Sequence, residues 1–175
     1  MTTQDKIWAP WRKAYIRPDK RRSDRSCLFC RLGSDKPVRD AKNYILKRTS
    51  HNFAILNLYP YNNGHALIVP LRHVDAVEEL TDEEKLDWLA LYEETRKVIR
   101  KLLHPDGFNM GINMGRAGGA GIPKHLHLHI VPRWKGDVNF MPVVAGTKVI
   151  SESLDSVYQT LTHSLKKSLR SRRVR

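Results

Sequence analysis

The chain has 175 residues, 41% of them hydrophobic, and carries 31 Lys and Arg against 18 Asp and Glu, a net charge of +13. This length and apolar content suit one domain with a sizeable core, and no apolar run is long enough to span a membrane. No secretory signal opens the chain, so a cytoplasmic location is expected, and the positive charge draws polyanions such as nucleotides or nucleic acid.

Residues 1–26 form a basic N-terminal arm. Trp8 to Tyr15 is amphipathic and aromatic, a short helix or a docking arm, and Arg17 to Ser26 is a basic loop interrupted by Pro18. Cys27-Leu28-Phe29-Cys30 contains both cysteines and predicts a turn-like knuckle ending near Leu32. In a cytosolic chain such a pair serves a metal or redox chemistry more readily than a structural disulfide, and a zinc half-site of this kind needs two further ligands, most readily histidines. Ser34 to Arg39 is a loop. Strands are predicted at Tyr44-Ile45-Leu46, Phe53 to Asn57 and His65 to Pro70, with the Pro-, Asn- and Gly-rich Tyr59 to Gly64 as the loop between the last two.

Thr81 with Glu84 is a capping box, and Leu86, Leu89, Tyr92, Val98, Ile99, Leu102 and Leu103 give the following residues an apolar stripe. A helix is therefore predicted to about Leu103, ended by Pro105-Asp106-Gly107. Asn109 to Met114 is a strand that enters the glycine-rich loop Asn113 to Gly121. His125 to Pro132 is the next strand and closes the sheet. Lys135 to Ile150 is irregular with one short strand. Ser153 caps a last helix through Leu154, Val157, Tyr158, Leu161, Leu165 and Leu169. Residues 166–175 are a basic tail, read as a solvated terminus with nucleic-acid contact as the alternative. The pattern is α+β: a mostly antiparallel sheet, one long helix and a C-terminal helix over residues 27–165.

The chemistry concentrates in His125-Leu126-His127-Leu128-His129-Ile130. Side chains on a strand alternate, so the apolar residues bury on one face and three imidazoles share the other. Two chemistries suit such a face: a catalytic zinc held by His125, His127 and His129, or a phosphoryl site with one histidine as nucleophile. The glycine loop just upstream lets backbone N–H groups approach phosphate closely and favours the second.

The alternating histidines, together with Asn57-Leu58-Tyr59-Pro60-Tyr61-Asn62-Asn63-Gly64-His65, resemble the histidine triad (HIT) superfamily of nucleotide hydrolases and transferases. Trp8-Ala9-Pro10-Trp11-Arg12, Gly107-Phe108-Asn109, and Pro132-Arg133-Trp134 with Asn139-Phe140 resemble its bacterial and archaeal subgroup related to dinucleoside polyphosphate hydrolases and phosphorylases. The resemblance implies a HIT-like fold and a homodimer. It implies cleavage at the α-phosphate of a dinucleoside polyphosphate such as diadenosine tetraphosphate, through a nucleotidyl-histidine on His127. In that scheme His129 and His65 hold phosphate oxygens, Asn57 binds ribose, Asn113 contacts phosphate, and no catalytic cofactor is required.

The chain departs from the superfamily where a polar Gln-Ser or Gln-Thr pair is common. Here Gly119, Ala120 and Gly121 stand, and their amides, Lys124 or Arg116 are the candidate replacements. That opening leaves water or inorganic phosphate as the second nucleophile, and a phosphoramidate as an alternative substrate. Relatives with the same Cys-x-x-Cys imply a structural zinc on Cys27, Cys30, His73 and His125. A metal-dependent hydrolase and a nucleotide- or nucleic-acid-binding regulator are the readings from other classes.

Overall fold

The computed structural model describes residues 27–137 and 150–172, with side chains through Leu165 in the second stretch. In chain order the elements are α1 (Leu28–Ser34), β1 (Ile45–Arg48), β2 (Asn52–Leu56), β3 (Ala66–Pro70), α2 (Asp82–Leu103), β4 (Gly107–Ile112), β5 (Leu128–Arg133) and α3 (Leu154–Arg172). The readings of Trp8–Tyr15 and Arg17–Ser26, the residues Asn139-Phe140, and the short strand expected before Ile150 fall wholly or mainly outside the described residues.

The five strands make one antiparallel sheet in the order β1-β2-β3-β5-β4. Strands β2 and β3 are buried on both faces, which is why they read as largely apolar runs. Ala54, Leu56, Ala66, Ile68, Leu126, Leu128 and Ile130 point to one side, where α2 and α3 cover them with Trp88, Leu91, Ile99, Val157, Leu161 and Leu165. Phe53, Ile55, Leu67 and Val69 point to the other, where Phe29 of α1 joins a smaller cluster. The histidine face of the 125–129 segment lies on this second side, because the alternation sends the intervening leucines into the main core.

Helix α2 begins as its sequence dictates. Thr81 accepts from the Glu84 amide while the Glu84 carboxylate accepts from the Thr81 amide, and Asp82, Glu83 and Glu84 oppose the helix dipole. His104 closes it in a left-handed conformation ahead of Pro105. At α3, Ser153 Oγ accepts from the Ser156 amide, which fills the capping role expected of it.

Three expectations need correction. Cys27 to Leu32 is not a knuckle: Cys27 is the N-cap of α1, which puts Phe29 inward one turn from Leu32. The strand carrying the histidines starts at Leu128, not His125, because His125 and Leu126 donate their amides to the Ile122 and Val74 carbonyls and so leave the ladder. That strand does not close the sheet but lies inside it, between β3 and β4. A 3-10 turn at Pro37–Arg39 also interrupts the loop expected there.

Candidate functional site

A cavity of about 490 Å³ opens on the α1 side of the sheet. Leu28, Phe29 and Leu32 of α1, Ile55 and Leu67 of the sheet, and Ile122 give it apolar walls. Asn57, Asn113, Gly119, Gly121, His127 and His129 supply its polar groups. An apolar slot with a few convergent polar atoms is the usual form of a site for a nucleotide-sized ligand.

The histidines sort by what their ring nitrogens face. His127 Nδ1 lies 2.7 Å from the His125 carbonyl, which only accepts, so Nδ1 carries the proton and the lone pair falls to Nε2 of a ring that lines the cavity. His65 Nδ1 accepts from the Tyr61 amide at 3.0 Å, with Asn57 Nδ2 at 3.4 Å. The Asn57 amide is oriented by the Tyr59 N–H, which donates to its Oδ1 at 3.0 Å. With Nδ1 an acceptor, neutral His65 donates from Nε2 to His129 Nδ1, 2.9 Å away. His129 then carries its proton on Nε2, a buried donor with no partner among the described residues, on a ring that lines the cavity. The chain of donors runs one way, from backbone to His65 to His129 to the cavity.

Burial favours the neutral form of His127 and His129. Desolvation and then the nearby His127 hold His129 at about 4, against an ordinary 6.5. Desolvation also lowers His127, opposed in part by its bond to the His125 carbonyl. The Tyr61 ring stacks on His129 with an interplanar angle of 11°.

His125 turns away from this cavity. Its Nε2–H donates to the Pro70 carbonyl at 2.9 Å, which leaves Nδ1 as a lone pair facing Cys27 Sγ at 3.2 Å and Cys30 Sγ at 3.5 Å. His73 Nδ1 lies 3.1 Å from Cys30 Sγ. The ligand atoms of Cys27, Cys30, His73 and His125 all fall within 4.8 Å of one another, a set that can hold a metal ion. Donor separations near 3.1–3.5 Å are close to the edge of a tetrahedron around an ion bound at about 2.0–2.3 Å. The carbonyl behind His125 is the outer partner that fixes a metal-binding imidazole.

The histidine segment therefore serves two centres in alternation, with His125 on the cysteines and His127 and His129 on the cavity. Phe29 stands between them, its ring 5.4 Å from that of His125 and 5.2 Å from that of His127. Of the residues expected at the nucleotide site, Asn57, Asn113, Gly119, Gly121, His127 and His129 line the cavity. His65 sits behind His129 at 1% exposure. Ala120 is buried, and the amides of Gly119 and Ala120 donate to the Arg116 and Gly115 carbonyls within the loop, so these two N–H groups are already engaged. Arg116 and Lys124 are exposed. Phe29 and Tyr61 were not anticipated. Their only signal was being aromatic within the motifs, Phe29 next to Cys30 and Tyr61 four residues before His65.

A buried histidine relay on a five-stranded antiparallel sheet covered by two long helices agrees with the expected histidine triad class. The HIT domain family matches residues 38–136, and the chain belongs to it. It is 38% identical over 152 residues to the AP-4-A phosphorylase of Mycobacterium tuberculosis, covering 85% of this chain and 78% of that one. It is 33% identical over 117 residues to the asymmetrical bis(5'-nucleosyl)-tetraphosphatase of Schizosaccharomyces pombe, covering 66% and 64%. Among solved structures, a Zn-bound histidine triad family protein from Mycobacterium smegmatis superposes with a TM-score of 0.65 at 26% identity, over 83% of this chain and 97% of that one.

Proposed function

We propose that the chain cleaves dinucleoside polyphosphates, diadenosine tetraphosphate among them, at an α-phosphate through a nucleotidyl-His127 intermediate. The observation that carries this reading is the arrangement of ring partners, with His127 Nδ1 on the His125 carbonyl and His129 Nδ1 on His65 Nε2, from which opposed tautomers follow on two rings that line one apolar cavity. His127 Nε2 attacks the α-phosphorus, a P–N bond forms, and the P–O bond to the remaining nucleoside polyphosphate breaks. His129 Nε2–H meets a non-bridging oxygen of that phosphorus, where negative charge accumulates. His65 is assigned to hold His129 in this tautomer rather than to touch phosphate, since both its ring nitrogens are engaged. Asn57 and Asn113 reach the ribose and the phosphates, and Leu28, Phe29, Leu32 and Ile122 enclose the base.

The intermediate is then resolved by an oxygen nucleophile, giving AMP with water or ADP with inorganic phosphate. The relative named AP-4-A phosphorylase supports phosphate as acceptor. Product analysis decides it. Diadenosine tetraphosphate is incubated with and without phosphate, beside a His127→Ala variant. ATP and ADP formed only with phosphate mean a phosphorylase, and ATP and AMP without it mean an asymmetrical hydrolase. No turnover under either condition overturns the reading. His127→Ala is expected to lose about 10⁴-fold or more, as removal of a covalent nucleophile does.

Zinc is the metal that Cys27, Cys30, His73 and His125 would hold, since two thiolates and two imidazoles complete a tetrahedral shell and leave no open position. Its part would be structural, with Cys27 and Cys30 tying α1 to His125 of the histidine segment. A cytoplasmic homodimer belongs to this proposal, joined through the outer edge of β4, which carries no further strand among the described residues. Nucleic-acid contact through the basic termini is proposed only as a secondary partnership, on the net charge of +13.

A further inference from the structure

We propose that Asn62 and Asp137 form a clamp that sets the tautomer of the His65–His129 pair, which makes them positioning residues for the phosphoryl site; this rests on the reaction proposed above. Asn62 is 6% exposed and the Asp137 side chain 7%. Asn62 Nδ2 donates to the Asp137 carboxylate at 2.7 Å and to the Pro132 carbonyl at 3.0 Å. Asp137 in turn is held by Arg133, through Nε at 2.6 Å and Nη2 at 2.9 Å, and by the Trp134 amide at 3.3 Å. The loop between β2 and β3 is thereby tied to the end of β5 and the turn that follows it.

That loop carries the donor on which the relay depends. The Asn62 carbonyl accepts the His65 amide at 3.1 Å, and the preceding Tyr61 amide donates to His65 Nδ1. Gly64, at φ +70°, completes the bend, and a Cβ there would sit 2.6 Å from Leu103 Cδ1. The two neutral tautomers of an imidazole are chosen by the partners of its nitrogens. If the loop relaxes and the Tyr61 amide leaves, a proton can settle on His65 Nδ1. His65 Nε2 then becomes an acceptor, His129 Nδ1 becomes the donor to it, and His129 Nε2 presents a lone pair to the cavity. A lone pair against an anionic phosphate oxygen repels where the proton attracted. The clamp thus decides the sign of that contact from outside the cavity.

The test is histidine ring ¹⁵N spectroscopy on the full chain with its metal bound, beside steady-state kinetics. In the wild type, His65 and His129 should each show a protonated Nε2 and an unprotonated Nδ1. Asn62→Ala should move both rings to a mixture of tautomers. It should also lower kcat about 10- to 100-fold, the scale of a misplaced contact, with little change in KM. Asp137→Asn keeps the shape and removes the charge, so it should do the same more weakly, and it stands in if Asn62→Ala does not fold. Asn109→Ala removes the remaining partner of Arg133, 2.8 Å away, and should leave the ring nitrogens unchanged. Unaltered tautomers in both clamp variants, or altered tautomers with full turnover, overturn the proposal. A tautomer shift in a protein that turns over no dinucleoside polyphosphate would sink the proposed reaction and leave the clamp standing.

Discussion

A buried neutral imidazole makes the site sensitive to acid in a direction that can be worked out. His129 is held at about 4 in the folded chain, while its unfolded value is near 6.5. Above 6.5 it is neutral in both states and carries no penalty. As pH falls from 6.5 toward 4 the unfolded chain takes up a proton that the folded chain refuses, so stability declines across that window. Glu84 adds a second decline lower down: the Arg72 guanidinium and then the Thr81 amide hold it at about 2, so its contribution is lost as pH falls from 4.5 toward 2. Urea midpoints should therefore fall between pH 6.5 and 4, and a His129→Asn variant should flatten that slope. An unchanged slope would mean that His129 titrates normally. The residue identities at this site were legible in the sequence, because alternation alone separates His125, His127 and His129 from the leucines. Their roles as donor or acceptor were not. Those depend on a carbonyl or an amide contributed by His125, Pro70 or Tyr61, and every residue has such groups, so no side-chain pattern announces them.

Among the elements, α1 and α2 are stabilised in different ways. Helix α2 is long and carries a complete capping box, so its start was readable to the residue, whereas its buried face is set by Glu84, Trp88, Leu91, Thr95 and Ile99 and leaves Leu86 and Leu89 of the expected stripe exposed. Thr81→Ala should cost about 1 kcal/mol in urea unfolding, the usual worth of such a cap, without changing the site. Helix α1 is seven residues long and has no side-chain cap. A helix so short does not persist in water alone. The sequence suggested a knuckle there because the cysteines dominated the reading, whereas burial of Phe29 against the sheet and the histidine rings imposes a helix. Stability of α1 should depend on the metal. Stripping zinc with a chelator, or the Cys27→Ser, Cys30→Ser double variant, should speed amide exchange in residues 28–34 and raise KM, since α1 supplies one wall of the cavity. Exchange in α2 should stay slow. Equal acceleration in both helices would show that the metal holds the whole fold rather than this wall.

For the whole molecule, the sheet has two edges with different fates. The β1 edge packs against α3, where the Tyr158 hydroxyl donates to the Ile45 carbonyl and Tyr44 donates to Asp155. Among the described residues the β4 edge has no strand beyond it, and Asn109, Met110 and Gly111 are exposed along it. Met110 is 53% exposed and Met114, just past the strand, 58%. An open edge with exposed methionines is a template for a second copy of the same strand, and antiparallel pairing of β4 with its symmetry mate would continue the sheet across the dimer. The same joint would rigidify the strand that leads into the glycine loop, so assembly and turnover should be linked. Light scattering at micromolar concentration should give twice 20.3 kDa. Met110→Lys, which sets like charges opposite one another across the pair, should shift the mass toward 20.3 kDa and lower turnover together. A monomeric wild type would refute the pairing. A dimer that persists in Met110→Lys would move the interface off β4, and the exposed Leu86 and Leu89 of α2 would become the surface to change next.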